Sequence, residues 1–166
     1  MMKRLGIAAT VLALGVAGCG GSNNNGNPNG PSNTTVFTVN LLPSNENPPI
    51  TNAEQSARGT AVITINSQTK TVDFSVSMNS FPAGSQLTIS HIHQAPVGVN
   101  GGIVVNTGLT AANAPALVNG AATFTFTGVT GNAADTVDQI LANPQNFYFN
   151  VHSQANPGGV LRGQLR

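Results

Sequence analysis

From Val36 onward, polar and apolar residues alternate with a period of two. The clearest run is Val72, Phe74, Val76 and Met78 against Thr71, Asp73, Ser75 and Ser77, the pattern of a strand with one buried and one wet face. Similar segments are Val36–Leu42, Thr60–Asn66, Leu87–His93, Ile103–Asn106, Ala122–Thr127, Phe147–His152 and Val160–Leu165. Turn-forming clusters separate them, among them Asn66-Ser67-Gln68-Thr69 and Asn156-Pro157-Gly158-Gly159. Eight short strands with such punctuation predict an all-β, antiparallel β-sandwich over residues 36–166. One stretch breaks the period: Val137, Ile140 and Leu141 repeat at helical spacing between Asp135 and Asn143. It predicts one short crossover helix at an end of the sandwich, with Asn132 as N-cap and Pro144 beyond its end.

Upstream of the strands the chain changes character twice. Lys3 and Arg4 precede an apolar run from Leu5 to Val16, a charged region followed by the hydrophobic region of a secretory signal. At about 1.5 Å per helical residue the run is too short for a bilayer core of about 30 Å. It ends in Val16, Ala17, Gly18 and Cys19, and Cys19 is the chain's one Cys. This junction resembles a bacterial lipoprotein signal, which implies a leader over residues 1–18, lipidation of Cys19 as the mature N-terminus, and export, with which Gly20 is compatible. Gly20 to Thr35 holds Gly, Asn, Ser, Pro and Thr without a large apolar side chain. Such a segment cannot bury enough surface to offset its ordering entropy, so residues 19–35 read as the lipidated Cys and a flexible tether. A coil of that length reaches roughly 20–25 Å.

Composition narrows the choice of partner. The 166 residues are 40% hydrophobic but only 7% charged, with six Lys plus Arg against five Asp plus Glu. No basic field exists to gather phosphates, so the chain is not expected to bind nucleic acid. Cleavage before Cys19 removes two of the six cations, leaving a formal charge of −1. Membrane attachment must then come from lipid, because there is no polybasic patch. The expected location is the cell envelope, as an extracytoplasmic, lipid-anchored protein of the outer membrane or cell surface. A lone Cys excludes an internal disulfide and a thiolate metal cage.

The three histidines carry most of the chemistry. His91 and His93 leave one face of one predicted strand about 7 Å apart, close enough to converge on one ion. His152 ends another strand. Three imidazoles can hold zinc or copper with a position left open; equally, three His at strand edges can be polar residues bonded to backbone carbonyls. With Leu87, Ile89, His91 and His93 on a common face, the apolar half is expected in the core and the His half at its rim. Glu46 is a candidate fourth ligand, but in so neutral a chain a pairing with Arg162 is the simpler expectation. Asn100-Gly101-Gly102 reads as a tight turn needing positive φ. Neither Ser90 nor Ser153 lies in a nucleophile elbow, which discards a serine hydrolase.

Leu41 to Pro49 with Glu46 before Pro48-Pro49, His91-Ile92-His93, Gly98-Val99-Asn100-Gly101, Tyr148-Phe149-Asn150-Val151-His152, and Pro157 to Leu165 together resemble the CHRD domain, a family named for repeats in chordin. The resemblance spans Val36 to Arg166. It implies an immunoglobulin-like or superoxide-dismutase-like sandwich with the two His motifs among the hallmark residues, and it supplies no biochemical activity; Glu46, Arg162, Asn100 and Asn150 are expected to be structural. The chain departs from the family in having Val160 where an acid is common and Gly102 where Pro is common. Three functions stay open: a non-catalytic module binding a transition metal, an extracellular protein or a small ligand; a three-His metalloenzyme with zinc hydrolytic or copper redox chemistry; and a purely structural or adhesive envelope module. The His are too few for copper and zinc together.

Overall fold

The computed structural model describes residues 32–166. The expected signal, Cys19 and residues 20–31 of the expected tether lie outside the described residues. Eight strands form where alternation predicts them: β1 (Thr34–Leu41), β2 (Arg58–Asn66), β3 (Thr71–Asn79), β4 (Leu87–Gln94), β5 (Gly102–Asn106), β6 (Ala122–Thr130), β7 (Phe147–Ser153) and β8 (Leu161–Gln164). β1 already begins at Thr34, because Thr34 and Thr35 find partners in Asn66 and Ile65 of β2; both had been expected in the tether. β-branched Thr suits a paired strand better than a coil.

Pairing is antiparallel throughout, in two four-stranded sheets of order β1-β2-β3-β6 and β5-β4-β7-β8. The inward residues of the first sheet, among them Val39, Leu41, Ile63, Ile65, Val72, Phe74 and Val76, close over Ile92, Val105, Phe149, Val151 and Leu161 of the second. Phe74 stacks on Phe149 across the layers, with ring centroids 5.6 Å apart. This is the expected sandwich. Its first and last strands are sewn together where Leu42 and Arg162 exchange backbone hydrogen bonds of 3.0 and 3.3 Å.

Between β6 and β7, α1 (Thr136–Ala142) carries the chain from one sheet to the other and buries Val137 and Ile140 in the core. Asn132 does not cap it. Its Nδ2 donates to Ile103 O at 2.9 Å and its backbone N–H to Val104 O at 2.8 Å. Asp135 takes the N-cap position without capping a backbone N–H, its Oδ2 accepting instead from Gln139 Nε2 at 2.8 Å, while Thr136 Oγ1 accepts from Ala133 N. The unpaired edge of β5 competes for Asn132, and the edge wins because it offers two bonds against one.

β4 holds the chief departure. Its register with β7 shifts between Leu87 and Ser90, and an added residue in one strand reverses the alternation. Leu87 and Ile92 therefore both join the core, Ile89 stays outside it, and His91 and His93 occupy the opposite face. The four residues do not share a side, as strict period two had predicted.

Candidate metal centre

All seven residues of β7 are buried. Phe147, Phe149 and Val151 face the core, so Tyr148, Asn150 and His152 must be covered on the outer face of the sheet. Cross-strand neighbours extend that row: His93 opposite Tyr148, His91 opposite Asn150, and Arg162 opposite Asn150 on the other side. The lid consists of three loops that hold each other. Asn47 Nδ2 donates to Gly98 O at 2.8 Å, Asn100 Nδ2 donates to Asn47 O at 2.7 Å, and Asn52 Nδ2 donates to Asn156 Oδ1 at 2.9 Å.

Two glycines let the loops approach. A Cβ on Gly101 would lie 1.9 Å from Gln94 O. Gly101 is therefore required for close approach, not for the positive φ expected of the turn; the positive φ falls on Gly98, at 77°. At Gly159, whose φ is 130°, a Cβ would come within 2.6–2.8 Å of Asn150 and of Glu46 Oε1.

Under this lid, ligand atoms of His91, His93 and His152 all lie within 4.8 Å of one another. The side chains are 3%, 8% and 6% exposed. His93 Nδ1 donates to Gly101 O at 3.0 Å and His152 Nδ1 to Pro157 O at 2.8 Å, since a carbonyl can only accept. Those bonds leave the Nε2 lone pairs of both rings free. His93 Nε2 is buried and has no hydrogen-bond partner, whereas His152 Nε2 accepts from His91 Nδ1 at 3.3 Å. A fixed Nδ1–H on a backbone carbonyl with a bare Nε2 is how metal-ligating histidines are oriented. In tetrahedral zinc, nitrogens about 2.0–2.1 Å from the ion would lie roughly 3.4 Å apart, so modest side-chain rotation, plus a shift of the His91 proton to its other nitrogen, would bring the three onto one ion.

Burial holds all three imidazoles neutral. His91 is pushed down to about 4, first by desolvation and then by the fields of His152 and His93. His93 is lowered by burial, with the Gly101 bond opposing and His152 and Arg162 adding to the shift. His152 is lowered by burial against the Pro157 bond. Neutral imidazole is the ligating form.

Glu46 and Arg162 fall in the same layer but not as expected. No carboxylate joins the His cluster among the described residues, so Glu46 is not its fourth protein ligand. Glu46 Oε2 accepts from Asn150 Nδ2 at 3.4 Å, and Oε1 is buried without a partner. The Glu46–Arg162 ion pair is also absent: within 4.0 Å the described residues pair Lys70 with Asp138. Arg162 is instead held by Val99 O at 2.6 Å and Asn100 Oδ1 at 2.9 Å, with its guanidinium 3.5 Å above the Tyr148 ring. Fixed this way, the guanidinium does not reach the carboxylate. Desolvation raises Glu46 to about 7, with the Arg162 charge and the Asn150 bond only partly offsetting it. A cavity of about 590 Å³ opens beside Glu46 and Arg162, and none of the three His lines it.

Two functional neighbours escaped sequence reasoning. Tyr148, the chain's one Tyr, stacks on His93 with centroids 4.8 Å apart and planes 2° from parallel; its position two residues before Asn150 and four before His152 is the signal that could have placed it. Glu54 is 2% exposed and accepts from Ser153 Oγ and Asn156 Nδ2, fastening the loop that presents Pro157 O to His152. Nothing in its neighbourhood of sequence announces that burial.

A family model for the CHRD domain matches residues 37–165. The chain belongs to the CHRD domain family. No curated protein and no solved structure matches it. The matched segment of this CHRD domain includes all three His, Glu46, Asn100, Asn150 and Arg162.

Proposed function

We propose that this CHRD domain is a non-catalytic, extracytoplasmic binding module whose ligand is a transition metal ion held by His91, His93 and His152, and that lipid on Cys19 attaches it to a membrane. The observation that carries the metal reading is the buried His93 Nε2, a lone pair with no partner, on one of three imidazoles whose ligand atoms lie within 4.8 Å of one another. A buried acceptor left bare costs on the order of 1–3 kcal/mol, and an ion at that point would remove the cost. Burial of all three rings favours holding an ion over turning over a substrate.

The full chain should bind one Zn(II) or copper ion per molecule in a calorimetric titration at neutral pH, and His93→Ala should lose it while keeping the β-rich circular dichroism spectrum. A wild-type chain that takes up neither metal defeats this reading. The anchor is tested separately: native protein should partition with membranes, and Cys19→Ser should abolish that partition.

A further inference from the structure

The triad also selects among ions, an inference that rests on the metal reading above. Its donor set carries no charge: three imidazoles converge, and among the described residues no Asp, Glu or Cys joins them. The two buried carboxylates nearby hydrogen-bond to none of the three rings. His93 and His152 donate their Nδ1–H to the backbone carbonyls of Gly101 and Pro157, where a carboxylate would have served as a counter-charge. Glu46 faces Asn150, and Glu54 faces Ser153 and Asn156. The fixed charge that does act on the site is positive. Arg162, 2% exposed, sits 3.5 Å over one side of Tyr148, and the ring of His93 stacks on the same tyrosine 4.8 Å away.

The cost of moving an ion out of water grows as the square of its charge, so a divalent ion costs roughly four times as much as a monovalent one of similar size. Repulsion from Arg162 grows linearly and doubles for the divalent ion. Zn(II) would have to complete its tetrahedral shell with water, which keeps its full divalent charge in the covered layer. Monovalent alkali ions want oxygen donors, whereas imidazole nitrogen suits copper and zinc alike, so among monovalent ions the donors point to Cu(I) and charge decides against Zn(II). We infer that the site formed by His91, His93 and His152 beneath the Tyr148–Arg162 stack is built for Cu(I), in preference to Zn(II) and Cu(II).

A hundredfold preference for Cu(I) over Cu(II) corresponds to a reduction potential raised by about 120 mV for a one-electron couple. The experiment is an anaerobic competition of the full chain against a chromophoric Cu(I) chelator, beside matched competitions for Zn(II) and Cu(II). The expected result is a Cu(I) dissociation constant at least about a hundredfold below the other two. Asn100→Asp sharpens it by placing an isosteric carboxylate against the Arg162 guanidinium, and should narrow the Cu(I)-to-Zn(II) gap by about tenfold. Zn(II) or Cu(II) binding as tightly as Cu(I) overturns the inference and leaves the metal reading standing. An unchanged gap in a folded Asn100→Asp chain overturns the role given to Arg162, and a wild-type chain that binds none of the three ions overturns both readings.

Discussion

The two sheets treat their outer faces in opposite ways. Along β3 each buried residue is followed by an exposed or half-buried Ser, Thr, Asp or Asn, and water satisfies those groups. Along β7 nothing reaches water, and the outer row of Tyr148, Asn150 and His152 meets loops instead. The first sheet has one interior; the second has an apolar interior on one side and a polar one on the other. Among the described residues, the four buried side-chain atoms without partners, Glu46 Oε1, Glu54 Oε1, His93 Nε2 and Asn150 Oδ1, lie in that polar layer or its covering loops. A polar interior specifies geometry through hydrogen bonds, and leaves groups poised for chemistry where the bonding is incomplete.

Breaking the shared apolar core should cost most. Phe74→Ala removes the ring stacked on Phe149 and should lose about 3–5 kcal/mol in urea unfolding, while Val62→Thr on the wet face of the first sheet should stay within about 0.5 kcal/mol. If the two substitutions cost alike, the assignment of faces is wrong. Gly159→Ala attacks the polar layer alone, by driving a methyl group into Asn150 and Glu46 from a positive-φ position. It should lower stability by about 1–3 kcal/mol in thermal melts.

The smallest effect is a slope. His91, His93 and His152 are lowered on folding, so the unfolded chain binds more protons as pH falls below about 6.5, and stability declines toward about pH 4. Glu46 runs the other way. Its folded value of about 7 exceeds the ordinary 4.5, so the folded chain keeps a proton that the unfolded chain releases, and its contribution falls as pH rises from about 4.5 to 7. With chelator present, Glu46→Gln should gain on wild type between pH 5 and pH 8, by on the order of 1 kcal/mol or more. A difference independent of pH would show that Glu46 titrates normally.

The same contrast explains what could be read from the chain. Alternation and turn punctuation together located the eight strands of the described residues, and Val72, Phe74, Val76 and Met78 sit in the core as their spacing demands. In the second sheet both faces are buried, so alternation along β7 told inside from outside but not wet from covered. His91 and His93 were legible as a same-face pair, and His152 does come to them. Their side of the sheet was not legible, because the irregularity between Leu87 and Ser90 has no composition of its own. Glu46 and Arg162 were recognised as charges out of place in a neutral chain. Their separate partners depend on where two distant loops close, which no local pattern encodes.

His91 and His152 are separated by 61 residues of chain, and the strands that present them meet only when β7 docks on β4. A chain still extended offers the His91–His93 pair alone, two donors on a freely rotating backbone. Joining ends so far apart in sequence is entropically late and slow, as in other folds dominated by non-local pairing. The third imidazole arrives only when β7 docks on β4, so the site cannot exist during synthesis of the chain's first half.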